Sequence, residues 1–469
     1  MRSLMPSSRP NILFLTTDQQ RFDCLGINSN GFVQTPNLDA LAREGTNLLR
    51  FYVNNPLCMP SRASLLTGKY PRNHGVTCNG IPLSESIPNI AHALGSAGYV
   101  TGNLGKLHFL PHSGRDYTEP HPDYGFHVVV NADEPGCYPD AYIQWIRSVA
   151  PELEEKVRVP IPGVEPRDSF DRWIFDAPEE LSYSAWVADE TIKFIDSNPD
   201  RPWFAIAGLY LPHAPCNPTR RWFDLYSDVE IPPPLLRDNE LNDKPTVFRE
   251  LAERFVPADD SEWEDFRRYY YASCSMVDHH CGRVIEHLRE TGRLDNTLVV
   301  FYSDHGEMAG DHRLMAKHQT NYESVIHVPA IVRYPAAVPA GSEVEAIIEA
   351  VDLMPTILEA VGADTPRSVD GHSRWAAVTG DSEAGPNSVL VEFATPEGEN
   401  CKTLLTTTHK YWVNQKGEEL LFDLRDDPNE FVNRAGDAAA AGDLQDMRAR
   451  LLQKLISTDD RSLERTAQY

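Results

Sequence analysis

Four apolar runs in this chain each stop at a polar or charged residue. Ile12 to Thr17 ends in Asp18, and Thr297 to Ser303 ends in Asp304. Tyr99 to Leu104 leads into Gly105-Lys106-Leu107-His108, and Trp203 to Tyr210 leads into Leu211-Pro212-His213. Short apolar runs bounded this way read as strands buried on both faces. Between them lie helical patterns: Thr35 to Ala42 with Pro36 in its first turn, Ile87 to Ala97 closed by Gly98, Leu181 to Ile195, and Glu262 to Thr291 stopped by Gly292. Val328 to Tyr334 is a further strand. The alternation predicts an α/β fold, a large and mostly parallel sheet sandwiched by helices. Ligands of such sheets bind beyond the carboxyl ends of the strands. The four polar ends are therefore expected to meet at one edge.

At 469 residues the chain exceeds one ordinary core. From Ser388 onward the pattern changes to short strands and turns: Val389 to Phe393, Thr403 to Thr407, Lys410 to Val413 and Leu420 to Asp423, then a helix from Leu444 to Leu455. This predicts a large α/β domain over 1–365, a Gly-, Pro- and Ser-rich linker over 366–387, and a small antiparallel α+β domain over 388–469. The loop-heavy stretch from Pro111 to Asp176 could wall a pocket. Trp173, Tyr183, Tyr210 and Trp222 could add to its lining.

The net charge of −26 argues against nucleic acid or an anionic membrane as partner. An anion site must then be a local positive pocket. The 8 cysteines contain no C-x-x-C pair, which suits a reducing compartment. No apolar run reaches the ~18 residues of a membrane span, and no secretory leader is evident. The expected setting is cytoplasmic.

The segment Cys58-Met59-Pro60-Ser61-Arg62, followed by Leu65-Leu66-Thr67-Gly68, reads as a helix start. Proline fits a first turn because its missing N–H would be an orphan there. Cys58 then sits at a helix N-terminus, where free N–H groups and the dipole favour an anion. Arg62 adds a cation one turn on. Asp18-Gln19 and Asp304-His305 could surround one divalent cation with two carboxylates, an amide oxygen and an imidazole. Oxygen ligands suit Ca²⁺ or Mg²⁺, and an imidazole tilts toward Mn²⁺ or Zn²⁺. Lys106 and His108 point the same way in extended chain. His279 and His280, in mid-helix, are expected at solvated positions.

The C-x-P-S-R and T-G pattern resembles the signature of the type I sulfatases, in the alkaline phosphatase superfamily. Gly105-Lys106-Leu107-His108, His213-Ala214-Pro215, Ser303-Asp304-His305-Gly306-Glu307 and the late Lys317 also resemble that family's motifs. The resemblance spans roughly residues 10 to 365. It implies that Cys58 is a precursor, oxidised by a maturation enzyme to formylglycine, whose hydrate attacks sulfur. It implies a metal held by Asp18, Gln19, residue 58, Asp304 and His305, with Ca²⁺ expected and Mn²⁺ the alternative. Arg62, Lys106, His108, His213 and Lys317 would serve catalysis, and Asn79 would touch substrate. His213, helped by Lys317, would protonate the leaving alcohol, and His108 would be the base for the second hydroxyl.

The implied reaction is hydrolysis of a sulfate monoester, on a small molecule or carbohydrate, to alcohol and sulfate. Many sulfatases carry aspartate where this chain has Gln19. Glutamine there also occurs in phosphonate monoester hydrolases, so a phosphonate monoesterase or phosphodiesterase is the alternative. An inactive binding relative would need a broken site, and no position is broken. A redox enzyme built on Cys58 lacks a resolving cysteine at useful spacing. Oligomeric state is open, a homo-oligomer included.

Overall fold

The computed structural model describes residues 9–459 apart from 30, 113–119, 137–139, 161–170, 256, 258–260, 382–384 and 386. Part of the expected pocket wall between Pro111 and Asp176, with Cys137, lies outside the described residues.

Eight strands form one sheet: β1 (Asn11–Asp18), β2 (Thr46–Leu48), β3 (Val100–Gly105), β4 (Val128–Asn131), β5 (Trp203–Pro212), β6 (Thr297–Ser303), β7 (Ala330–Arg333) and β8 (Ser342–Val344). Their order is β4-β3-β5-β1-β6-β7-β2-β8. The first five in that order run parallel. The strand expected over Val328 to Tyr334 is β7, and it runs antiparallel to β6. The strands preceding Lys106, His213, Asp18 and Asp304 are thus four parallel neighbours, and their carboxyl ends share one edge, as the sequence pattern requires.

The alternating pleat divides the core. Ile12 and Phe14 of β1 face one apolar cluster, and Leu13 and Leu15 face the other. The first face is covered by α2 (Cys58–Thr67), α3 (Ile90–Ser96) and α6 (Leu353–Ala360). The second is covered by α1 (Pro36–Glu44), α4 (Tyr183–Asp196) and α5 (Ser261–Glu290). The expected solvation of α5 holds in part. His279 is half-buried, but His280 is only 2% exposed, its ring 3.6 Å from Glu179. A 30-residue helix packed along a sheet turns most of its girth inward, so mid-helix position does not imply solvent.

A second sheet holds β9 (Val389–Ala394), β10 (Asn400–Leu405), β11 (His409–Asn414) and β12 (Glu419–Asp423), antiparallel throughout. Leu390, Leu404, Tyr411 and Leu421 pack under α7 (Ala441–Ser457). Val389, Val391, Phe393 and Trp412 join the same apolar cluster as Leu65 and Leu66 of α2. Within 366–387, Asp370 and Gly371 donate their N–H groups to the Gly68 carbonyl, and Ala377 and Val378 are buried.

Candidate active site

Helix α2 begins at Cys58 itself, with Leu57 as its extended cap. Pro60 is the third residue of the helix, where a missing N–H still costs no intrahelical bond. Ser61 donates to the Asp304 carbonyl at 2.5 Å and fixes the helix against the end of β6. Asn79 accepts the Met59 N–H at 3.1 Å, so its oxygen caps the first turn. Arg62 reaches back: Nε donates to Asp304 Oδ2 at 2.6 Å, and a terminal nitrogen donates to the Lys106 carbonyl at 3.1 Å.

Lys106 is placed by a close approach between β3 and β5. A Cβ on Gly208 would lie 2.2 Å from the Lys106 carbonyl oxygen, which excludes any side chain there. The buried Lys106 ammonium meets Asp18 Oδ2 at 2.6 Å and lies 5.1 Å over the Tyr210 ring.

The two aspartates are therefore gripped from outside. Lys106 holds Oδ2 of Asp18, and Arg62 holds Oδ2 of Asp304. Their Oδ1 atoms face a common point. His305 Nε2 is 3.4 Å from Asp18 Oδ1 and 3.7 Å from Asp304 Oδ1. Cys58 Sγ is 3.1 Å from His305 Nε2 and 3.8 Å from Asp18 Oδ1. Ligand atoms of Asp18, Cys58, Asp304 and His305 all fall within 4.8 Å of one another, and all four residues are buried. His305 Nδ1 lies 2.9 Å from the Gly306 carbonyl, which takes its proton and leaves the Nε2 lone pair aimed inward. Two carboxylate oxygens, an imidazole lone pair and the residue-58 atom suit a divalent cation. Gln19 sits beside them with its N–H on Asp304 Oδ1, but its side-chain oxygen accepts from Lys317.

Charges nearby follow from burial and pairing. Burial raises the Asp18 carboxyl, but the Lys106 and Arg62 cations outweigh it and hold it well below the usual range. Burial disfavours the Arg62 and Lys106 cations, and the aspartates more than compensate, so both stay charged. Burial, and then Asp18, push the Cys58 thiol up to about 12, so an unmodified cysteine here is a neutral thiol. Arg62, Lys106 and Lys317 are matched by Asp18, Asp304 and Glu307. The described side chains therefore give the expected local positive pocket no excess of positive charge by themselves.

His213 and Lys317 form a pair, 2.6 Å apart. His213 Nδ1 faces the Ala214 carbonyl at 2.5 Å, so Nε2 is the acceptor and Lys317 the donor. Burial, then Lys317, hold the imidazole neutral. His108 is buried with a left-handed backbone (φ 56), held by its N–H on Asp133 at 2.6 Å. Its ring stacks on His112 at 4.2 Å. Burial, then His112 and Lys106, keep it neutral too. Tyr183 and Tyr210 belong to the core beneath the site, not to an open wall.

Several contributors were missed. Asp133 seats the His108 turn, and His112 stacks there with Glu134 3.3 Å away. These lie in a loop with no periodicity to mark them. Glu307, in the Asp304-His305-Gly306-Glu307 run, carries no role in the sequence reading. It is fully buried and accepts from Gln19, Ala309 and Ala316.

A buried ligand cluster at the carboxyl edge of a mostly parallel sheet, with a second small sheet behind it, is the architecture of the alkaline phosphatase superfamily. The profile of the sulfatase family matches residues 10–363, and that of the N-sulphoglucosamine sulphohydrolase C-terminal region matches 310–458. An arylsulfatase of Clostridium perfringens is 31% identical over 450 residues, covering 91% of this chain and 90% of its own. The multifunctional alkaline phosphatase superfamily protein PehA of Trinickia caryophylli is 29% identical, covering 97% of both. The crystal structure of a phosphonate monoester hydrolase of Agrobacterium radiobacter superposes with a TM-score of 0.85, at 27% identity and 97% coverage of each chain. The chain belongs to the sulfatase family and is a sulfuric ester hydrolase.

Proposed function

We propose that this protein hydrolyses a sulfate monoester, on a small molecule or carbohydrate, to the alcohol and inorganic sulfate. The observation carrying this reading is the paired grip on Asp18 and Asp304, which turns two carboxylate oxygens toward residue 58. Residue 58 would act as formylglycine, made from Cys58 by a separate maturation enzyme. A divalent cation, Ca²⁺ with Mn²⁺ as the alternative, would sit between Asp18, Asp304, His305, the Gln19 amide and residue 58. When bound it supplies Lewis acidity and lowers the cost of an oxyanion nucleophile.

The chain's own groups would do the rest. Lys106, Arg62 and Lys317 set fixed positive charge around the sulfate oxygens in a water-poor site. Lys317 is the proton source for the leaving alcohol, because His213 accepts rather than donates toward it. His213 orients that ammonium through its acceptor Nε2. His108, neutral and with Nδ1 lacking a hydrogen-bond partner among the described residues, would be the base for residue 58. Asn79 keeps its side-chain NH₂ for substrate while its oxygen holds α2. The domain limits at 365 and 388 and a cytoplasmic setting belong to the same reading. Free thiols at the seven described cysteines support that setting. No described helix is long and apolar enough to cross a membrane.

A second reading, phosphonate monoester or phosphodiester hydrolysis, is favoured by Gln19 and by the likeness to phosphonate monoester hydrolases. One experiment separates them. The mass of the peptide carrying residue 58 is measured, and the same sample is assayed on an aryl sulfate, a phosphonate monoester and a phosphodiester. We expect the aldehyde mass and the highest kcat/KM on the sulfate. Cys58→Ala and Cys58→Ser should lose nearly all turnover. Wild-type rates in either variant would sink the mechanism, and a higher kcat/KM on the phosphonate would transfer the protein to the second reading.

A further inference from the structure

We infer that Glu307 is a positioning residue that fixes which end of the Gln19 amide faces Lys317 and the metal ligands. The inference rests on the proposed role of Lys317 and concerns a residue outside the expected site.

An amide side chain has a donor end and an acceptor end of nearly the same shape. Which end faces the reaction is decided by its neighbours. The Gln19 NH₂ donates to Glu307 Oε2. The other oxygen of Glu307 already accepts two backbone N–H groups, from Ala309 at 2.9 Å and from Ala316. Both oxygens are therefore required as acceptors at once. Only a carboxylate meets that demand. The Gln19 oxygen is left facing outward, where it accepts from Lys317. Lys317 donates again to His213 Nε2, and His213 is anchored by Nδ1 on the Ala214 carbonyl. Every link in this row runs donor to acceptor without conflict. Glu307 closes one end and the Ala214 carbonyl closes the other. The Gln19 backbone, left-handed at φ 70, is pinned by the Tyr270 hydroxyl on its carbonyl at 2.5 Å. The amide can therefore answer a change at Glu307 only by turning over.

Glu307→Gln removes one of the two acceptors. Its remaining oxygen goes to Ala309 and Ala316, so its NH₂ meets the Gln19 NH₂. Gln19 must flip, and its NH₂ then points at the Lys317 ammonium. The reciprocal change repairs the row. In Gln19→Glu combined with Glu307→Gln, the glutamine at 307 donates to the carboxylate at 19, whose other oxygen accepts from Lys317. The single variant Gln19→Glu sets two carboxylates against each other in a buried site.

The test is a double-mutant cycle on the full chain. Four proteins, wild type, Gln19→Glu, Glu307→Gln and the double variant, are compared by melting temperature, Mn²⁺ affinity by titration, and kcat/KM. We expect each single change to lower kcat/KM about 10- to 100-fold, the scale of a small misplacement of a reacting group. Glu307→Gln should also weaken Mn²⁺ binding, and the double variant should recover at least tenfold over the worse single in kcat/KM. Losses in the double variant that equal the product of the singles, or wild-type kcat/KM and Mn²⁺ affinity in Glu307→Gln, would overturn the inference. If a single variant does not fold, a folded double variant supports the pairing, and an unfolded one overturns it. If the wild type proves inactive on sulfate esters, the functional reading fails by itself. Melting temperature and Mn²⁺ affinity still report on the amide's orientation.

Discussion

In the proposed reaction the chemistry turns on Lys317, because among the described cations of the site it donates to neutral acceptors rather than to an aspartate. Arg62 and Lys106 spend their charge holding Asp304 and Asp18 in place. Replacing Lys317 by Met should cut kcat by about 10²–10³, in line with loss of one preorganised donor. The loss should grow as the leaving alcohol becomes a poorer leaving group. A rate series over aryl and alkyl sulfates checks this, and a uniform loss across the series would remove Lys317 from the proton-transfer step. At this scale much was legible. Asp18, Asp304, Arg62, Lys106 and His213 were marked by strand ends and motif spacing. The direction of the His213–Lys317 proton was not, because it depends on a backbone carbonyl beside the ring. Glu307 lies in a recognisable motif, but nothing in the sequence marks its partner 288 residues away.

At the scale of the element, α2 carries the design. Its N-terminus holds residue 58, and Gly68 closes it in left-handed conformation at φ 66. His74 braces its middle: the ring accepts the Val76 N–H at 3.1 Å and donates to Ser64 Oγ at 3.0 Å. Both bonds require a neutral imidazole. Burial, then Lys69, lower its pKa from 6.5 to about 3. Between those values the unfolded chain binds the extra proton, so stability falls as pH falls through that window. From pH 7 to pH 5 this one group should cost about 2 kcal/mol. Denaturation midpoints for wild type and His74→Asn across that range check it. The variant keeps an acceptor for Val76 and should show the shallower slope, and parallel slopes would rule the ring out. The helix start was readable from Cys58 and Pro60. Its brace was not, since His74 ends a four-residue helix with no apolar period around it.

For the whole molecule, the sequence change at Ser388 does mark a second sheet, but composition could not reveal how closely it is joined. One face of β9–β12 packs into the core that holds α2. Asn54 and Asn55, just before residue 58, reach the backbone oxygens of Leu390 and Glu392. Tyr70, just after α2, reaches Glu349 at 3.0 Å. Such long-range pairing leaves no periodic trace in a sequence.

That clamp also sets a clock. Cys58 is 1% exposed once the chain is closed. Asn55, three residues before it, bonds to the Glu392 carbonyl of β9, which comes 337 residues later in synthesis. At the usual ~5–20 residues per second, that is about 15 to 70 s during which residue 58 is outside the tunnel and the clamp does not yet exist. Any enzyme that alters this residue must work in that interval or on a chain that has opened. A folded protein still carrying the thiol should therefore stay unconverted when the maturation activity is added afterwards, as the mass of its residue-58 peptide will report. If residue 58 is converted as proposed, the mature fraction would be a matter of timing between two catalysts and a ribosome, more than of affinity.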